Sequence, residues 1–193
     1  MPPPSLFPWL DAQIDEAARI PEAVRSLLPT LLEVAGALRV SLDGGGRAFF
    51  FGNGGSAADA QHWAAELSGR FYLERPSLSA QALTTNTSAL TAIGNDYGFE
   101  EVFARPLSGA GQPGDVAVGI STSGTSANVL RAFEVAHQRG LVTVGFCGEH
   151  SEAFDAVCDH VVSIPSSDTP RIQEGHELAA HLVFAAVERM LFG

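Results

Sequence analysis

A chain of 193 residues, 46% of them hydrophobic, suffices for one domain with a sizeable core. Its formal net charge of −11 makes it a poor general partner for nucleic acid or an anionic membrane, so an anionic substrate has to be held by local N–H groups and hydroxyls. All 11 basic residues are arginine, and the absence of lysine excludes Schiff-base catalysis through lysine, pyridoxal-phosphate attachment and a Walker-type phosphate lysine.

The first forty residues read as helical, with Trp9, Ile14 and Ala17–Ala18 on one face and a second apolar-periodic run from Ala23 to Leu42. Pro21 interrupts, Pro29 kinks or restarts the second run, and Gly44–Gly46 ends it. The density of Leu, Val and Ala predicts a buried face for these helices. The opening MPPPSLFPWLDAQIDE lacks a basic segment followed by an apolar one, so no signal peptide is expected. No apolar run reaches the length of a bilayer, and Cys147 and Cys158 make no disulfide framework; a cytoplasmic setting is expected.

From Arg47 the pattern changes. Ala48–Phe51 reads as a buried strand, Ser56–Ser68 as a helix with Ser56 as N-cap, and Ser79–Leu83 as a weaker strand. Short helices follow at Ser88–Asn95 and Glu100–Ser108, then a strand at Asp115–Ile120 and a helix at Ala127–Arg139. Strands at Leu141–Cys147 and His160–Ile164 and a long helix at Arg171–Leu191 complete the chain. Strands alternating with helices predict a parallel sheet covered on both faces. One domain is expected over 1–193, with N-terminal helices at 1–43 and an α/β core at 47–193.

Two loops share one design, each following an apolar strand and opening a helix whose N-terminal N–H groups suit an anion. Gly52-Asn53-Gly54-Gly55-Ser56 fits G-x-G-x-x-A through Ala57, but no strand ending in an acid follows about 20 residues on to hold a ribose. A tight strand–helix turn explains this loop equally well. Ser121-Thr122-Ser123-Gly124-Thr125-Ser126 carries five hydroxyls in six residues, more than a turn requires, and each can donate to a phosphate oxygen.

His62 and Glu66 stand four apart on one helix face, about 6 Å along the axis, which suits two ligands of one metal or a base beside a polarising group. A surface His–Glu pair is the bland alternative. On the closing helix, Gln173 and His181 are eight residues apart, about 12 Å, a span that a central ion or a subunit interface would bridge. His181 lies within the apolar run Leu178–Val187, where a core histidine is the alternative, while Glu174, His176 and Glu177 read as solvated or structural.

GNGGSAADAQHWAAELSGR, LTAIGNDYGFEEVFARPL, GDVAVGISTSGTSANVLRA and SSDTPRIQEGHELAAH occur in that order. Together they resemble the phosphoheptose isomerases within the sugar-isomerase (SIS) domain superfamily, from about Arg47 onward. The resemblance implies a doubly wound, flavodoxin-like parallel sheet and a homotetramer with active sites between subunits. It places metal ligands on His62, Glu66, Gln173 and His181, with Zn²⁺ as the ion. Asn53, Gly54, Gly55 and Ser56 match the first substrate loop, Asn95 and Asp96 a second contact, and Ser121, Thr122, Ser123 and Ser126 the phosphate clamp; Glu66 and Gln173 also face substrate. Thr125 stands where asparagine is usual, and Pro170 where some members place aspartate, so Asp168 is assigned no catalytic role.

The implied reaction converts sedoheptulose 7-phosphate to D-glycero-D-manno-heptose 7-phosphate through an enediolate, with Glu66 as the base at carbon and His181 as its acid–base partner. The main rival is a non-catalytic SIS-domain regulator that binds the bacterial replication initiator. Retention of all four ligand positions favours the enzyme. Amino-sugar phosphate isomerases are more remote, and the absence of lysine weakens any imine-based version.

Overall fold

The computed structural model describes residues 6–193; residues 1–5, part of the stretch read as helical, lie outside the described residues. The N-terminal region forms three helices, α1 (Leu6–Ala17), α2 (Ile20–Ser26) and α3 (Leu28–Asp43). Pro21 and Pro29 each fall in the first turn of the next helix, where a missing N–H costs nothing, so Pro29 restarts the helix rather than kinking it. The expected burial is uneven. Leu31, Val34, Ala35 and Leu38 of α3 enter the core, but among the described residues α1 buries none, and Phe7, Trp9 and Ile14 stay exposed.

Five parallel strands follow: β1 (Ala48–Gly52), β2 (Ala80–Ala82), β3 (Val116–Ser121), β4 (Val142–Cys147) and β5 (His160–Ser163). Their order is β2-β1-β3-β4-β5, the flavodoxin-like doubly wound arrangement. The connecting helices are α4 (Gly55–Ser68), α5 (Thr87–Tyr97), α6 (Glu101–Ala110), α7 (Ala127–Arg139), α8 (Glu152–Asp155) and α9 (Thr169–Phe192). Only the four-residue α8 was not anticipated. Side chains alternate across a strand, and β1 shows the consequence. Phe50 packs with Trp63 of α4 and Phe184 of α9 on one face, while Phe49 and Phe51 pack on the other with Phe103 of α6 and Phe133 of α7. This two-sided burial explains why the central strands read as continuous apolar runs.

Gly119 in β3 lets Phe51 and Phe133 meet over the sheet, for an added Cβ would lie 2.5 Å from Phe133 Cζ and 2.8 Å from Phe51 Cε2. Gly119→Ala is therefore expected to cost about 1–3 kcal/mol by overpacking. Chemical denaturation of the variant measures this, and an unchanged midpoint would show that the two rings yield freely.

The first loop differs from expectation at its cap. Gly54, at φ +58°, is the N-cap of α4, and Ser56 is already helical and buried. The turn off β1 requires a positive φ that serine rarely adopts, so glycine takes the cap position.

Candidate active site

Both anion-type loops lie at the carboxyl ends of neighbouring strands β1 and β3, where open parallel sheets gather ligands. They line a cavity of about 250 Å³ with Asn53, Gly55, Ser56, Ser121, Thr122, Ser123 and Ser126, joined by Gln173 and Thr169 from the start of α9. The hydroxyls form a connected set. Ser121 Oγ is 2.8 Å from Ser126 Oγ and 3.3 Å from Ser123 Oγ, and Thr125 Oγ1 donates to Ser123 Oγ at 3.1 Å. Gly124 makes the sharp turn at φ +68°. Ser126 caps α7 without spending its side chain on the helix, so its hydroxyl faces the ring of serines. Asn128, which sequence reasoning passed over, is buried in the first turn of α7. It exchanges two amide hydrogen bonds with Asn53, at 2.8 and 2.9 Å, and so ties the two loops together. Its place two residues after a hydroxyl-rich loop was the available signal.

The second cluster lies further along the same two helices. His62 and Glu66 are about two to three turns beyond Gly55 on α4, and His181 about two turns beyond Gln173 on α9. His62, Glu66 and His181 each offer a ligand atom, and these atoms lie within 4.8 Å of one another. His62 Nε2 is 2.9 Å from Glu66 Oε1, and the two imidazoles stand edge to face with centroids 5.4 Å apart. Nitrogen and carboxylate donors in this number suit zinc. Gln173, the fourth ligand position implied by the resemblance, lies over Gly55, where an added Cβ would collide with its amide nitrogen.

The SIS-domain family model matches residues 14–148. The phosphoheptose isomerase of Rhodospirillum rubrum is 52% identical over 163 residues, 84% of this chain and 87% of that protein. That of Burkholderia pseudomallei is 47% identical over 188 residues, 96% of this chain and 95% of its own length. The solved phosphoheptose isomerase of Neisseria gonorrhoeae superposes with a TM-score of 0.89 at 41% identity, covering 95% of this chain and 99% of that one. The chain belongs to the phosphoheptose isomerase family.

Within this isomerase, three further ionisable residues lie on or behind the same helices. Glu177 is half-buried and turned toward the histidine cluster. Its Oε1 lies 2.5 Å from His62 Nδ1 and 3.2 Å from His181 Nε2, and its Oε2 accepts from Trp63 Nε1 at 2.9 Å. The 3.6-residue period of α9 puts Gln173, Glu177 and His181 on one stripe, so the residue between the two implied ligands faces the site as well. Asp59, one turn before His62, has Oδ2 buried without a partner, and its pKa is pushed up to about 6, first by burial and then by the charge of Glu177, with His62 pulling it down. His176 is fully buried, packed on Phe146, with Nε2 at 3.0 Å from the Cys147 carbonyl; burial lowers its pKa to about 4. It is a neutral core histidine.

A buried ion pair braces the isomerase's second cluster. Arg75 donates to Glu188 at 2.7 Å and to the backbone carbonyls of Glu66, Leu67 and Gly69 at the end of α4. Glu188 in turn accepts from the N–H groups of Phe71, Tyr72 and Leu73. The Phe71 ring consequently lies against His181, with centroids 5.4 Å apart. Neither residue stood out in the sequence, because a pair 113 positions apart leaves no local pattern. Asn95 and Asp96 sit exposed at the end of α5, hydrogen-bonded to each other, and line neither the serine cavity nor the histidine cluster within one chain.

Proposed function

We propose that this isomerase interconverts sedoheptulose 7-phosphate and D-glycero-D-manno-heptose 7-phosphate by proton transfer through an enediolate. The observation that carries the reading is the convergence of His62, Glu66 and His181 on the same two helices that line the serine cavity. Along α4 the separation from Gly55 to His62 is about 10 Å, comparable to the length of an extended seven-carbon sugar. The phosphate binds the Ser121–Ser126 hydroxyls and the free N–H groups of the α4 and α7 N-termini. Its binding energy orients carbons 1 and 2 toward the second cluster. Glu66 takes a proton from carbon 1 and returns it to carbon 2, while His181 carries the compensating proton between the two oxygens.

His62, Glu66 and His181, with Gln173 as the further ligand, would hold a zinc ion. When bound, Zn²⁺ supplies Lewis-acid polarisation of the substrate oxygens. An NMR assay with sedoheptulose 7-phosphate, with and without zinc, tests the reading. Chelation is expected to lower turnover and added zinc to restore it; a fully active metal-free preparation would remove the metal from the mechanism. No conversion, alongside tight binding of the replication initiator, would establish the regulator instead.

The working form is a homotetramer whose sites lie between subunits. Two features support this. The apolar side chains of Phe7, Trp9 and Ile14 on α1 have no cover among the described residues, and Asn95 and Asp96 stand away from the site they are assigned to. Among the described residues no helix is long and apolar enough to cross a membrane, in keeping with a cytoplasmic enzyme.

A further inference from the structure

We propose that Glu177 is a positioning residue for the cation site, holding the His62 imidazole by its Nδ1 so that Nε2 is presented to the metal. The inference rests on the zinc site of the proposed function and adds a residue to it. His62 Nε2 faces Glu66 Oε1 at 2.9 Å, on the side where the ligand atoms of His62, Glu66 and His181 converge. The opposite ring nitrogen faces Glu177 Oε1. A histidine that gives one nitrogen to a metal donates the N–H of the other, and a carboxylate there fixes both tautomer and ring angle.

Glu177 is itself fixed. Its Oε2 accepts from the indole N–H of Trp63, which is fully buried in the core, and its Oε1 also reaches His181 Nε2 at 3.2 Å. One carboxylate therefore steadies the two imidazoles from two different helices, α4 and α9. Glu177 Oε1 is buried and makes no hydrogen bond among the described residues, and the two imidazole nitrogens are the groups close enough to donate to it once their rings are turned N–H inward.

The test titrates the metal-stripped full chain with Zn²⁺ alone, by calorimetry and by competition with a chromophoric chelator. Glu177→Gln keeps the shape and an acceptor for Trp63 but loses the charge, and Glu177→Leu removes the acceptor altogether. Zinc affinity is expected to fall about 10–100-fold in Glu177→Gln and at least as far in Glu177→Leu. Glu134→Gln, on the exposed side of α7, should bind zinc as the parent does. Melting of each metal-free variant accompanies the titration, since a purely structural role would lower the melting temperature while leaving zinc affinity intact. Parental affinity in both Glu177 variants overturns the role of Glu177 and leaves the isomerase reading standing. Failure of the parent chain itself to take up zinc overturns the site as a whole.

Discussion

Glu66→Gln is expected to slow isomerisation by about 10²–10⁴-fold, the range for losing a positioned general base, in a chain that folds as before. Glutamine keeps the volume of the side chain but cannot take a proton from carbon. The backbone at this position is held independently, because Arg75 donates to the Glu66 carbonyl at 2.9 Å, so the variant should not unravel the end of α4. Substrate KM should change little, since the serine cavity proposed to take the phosphate begins about three turns away along the same helix. His181→Ala should show the same pattern, with the additional loss of the ring that Phe71 packs against. Conversion followed by NMR, together with deuterium uptake from solvent at carbon 2, measures the carbon proton transfer directly. Zinc content has to be measured alongside, because the proposed function gives Glu66 both roles, proton carrier and ligand. Turnover near the parental rate by either variant would sink the assignment of that residue.

The largest expected loss of stability lies elsewhere. Glu188→Ala should destabilise the chain by about 3–5 kcal/mol, the cost of leaving a buried charge without its partner. Arg75 and Glu188 side chains are almost wholly buried, at 0% and 1% exposure. Removing the carboxylate strands the Arg75 guanidinium and three backbone N–H groups together. Urea denaturation gives the value, and a change below about 1 kcal/mol, the size of an exposed pair, would show that water reaches the site. The pair also sets an acid limit. Burial works against ionisation of Glu188, but the N–H groups of Phe71, Leu73 and Tyr72 with Arg75 outweigh it and bring the pKa from 4.5 to about 2. A carboxylate with a depressed folded-state pKa stabilises fully above its unfolded value. That stabilisation is lost as pH falls from about 4.5 through about 2. Stability of the parent should drop across that window, and the drop should be shallower in Glu188→Gln.

Much of the site was legible because its parts are local. The hydroxyl run at 121–126, the glycines at 54–55 and the four-residue spacing of His62 and Glu66 are short-range patterns tied to a strand end or one helix turn. For Glu177 the local pattern left a solvated and a structural acid both open, and only the packing of α9 against α4 brings its carboxylate to His62 and Trp63. The N-cap of α4 was misplaced because a serine preference was weighed without the positive φ that the turn imposes on Gly54. The apolar face of α1 was correctly seen as apolar, but periodicity does not say against what such a face packs.

Alternation of apolar strands with amphipathic helices pointed to a parallel sheet covered on both faces, since few other arrangements bury such runs on both sides; its doubly wound strand order came only with the family resemblance. The absence of lysine and the hydroxyl-rich loop likewise led to the expectation that an anion is held by hydroxyls and backbone N–H groups. What only the tertiary structure decided are the encounters between distant segments: Asn53 with Asn128, Arg75 with Glu188, and Glu177 with His62. These depend on where α4, α7 and α9 meet across the sheet. Residues 75, 113 and 115 positions apart share no period and no motif, and their contact is fixed by the packing of whole elements rather than by any preference of the residues themselves.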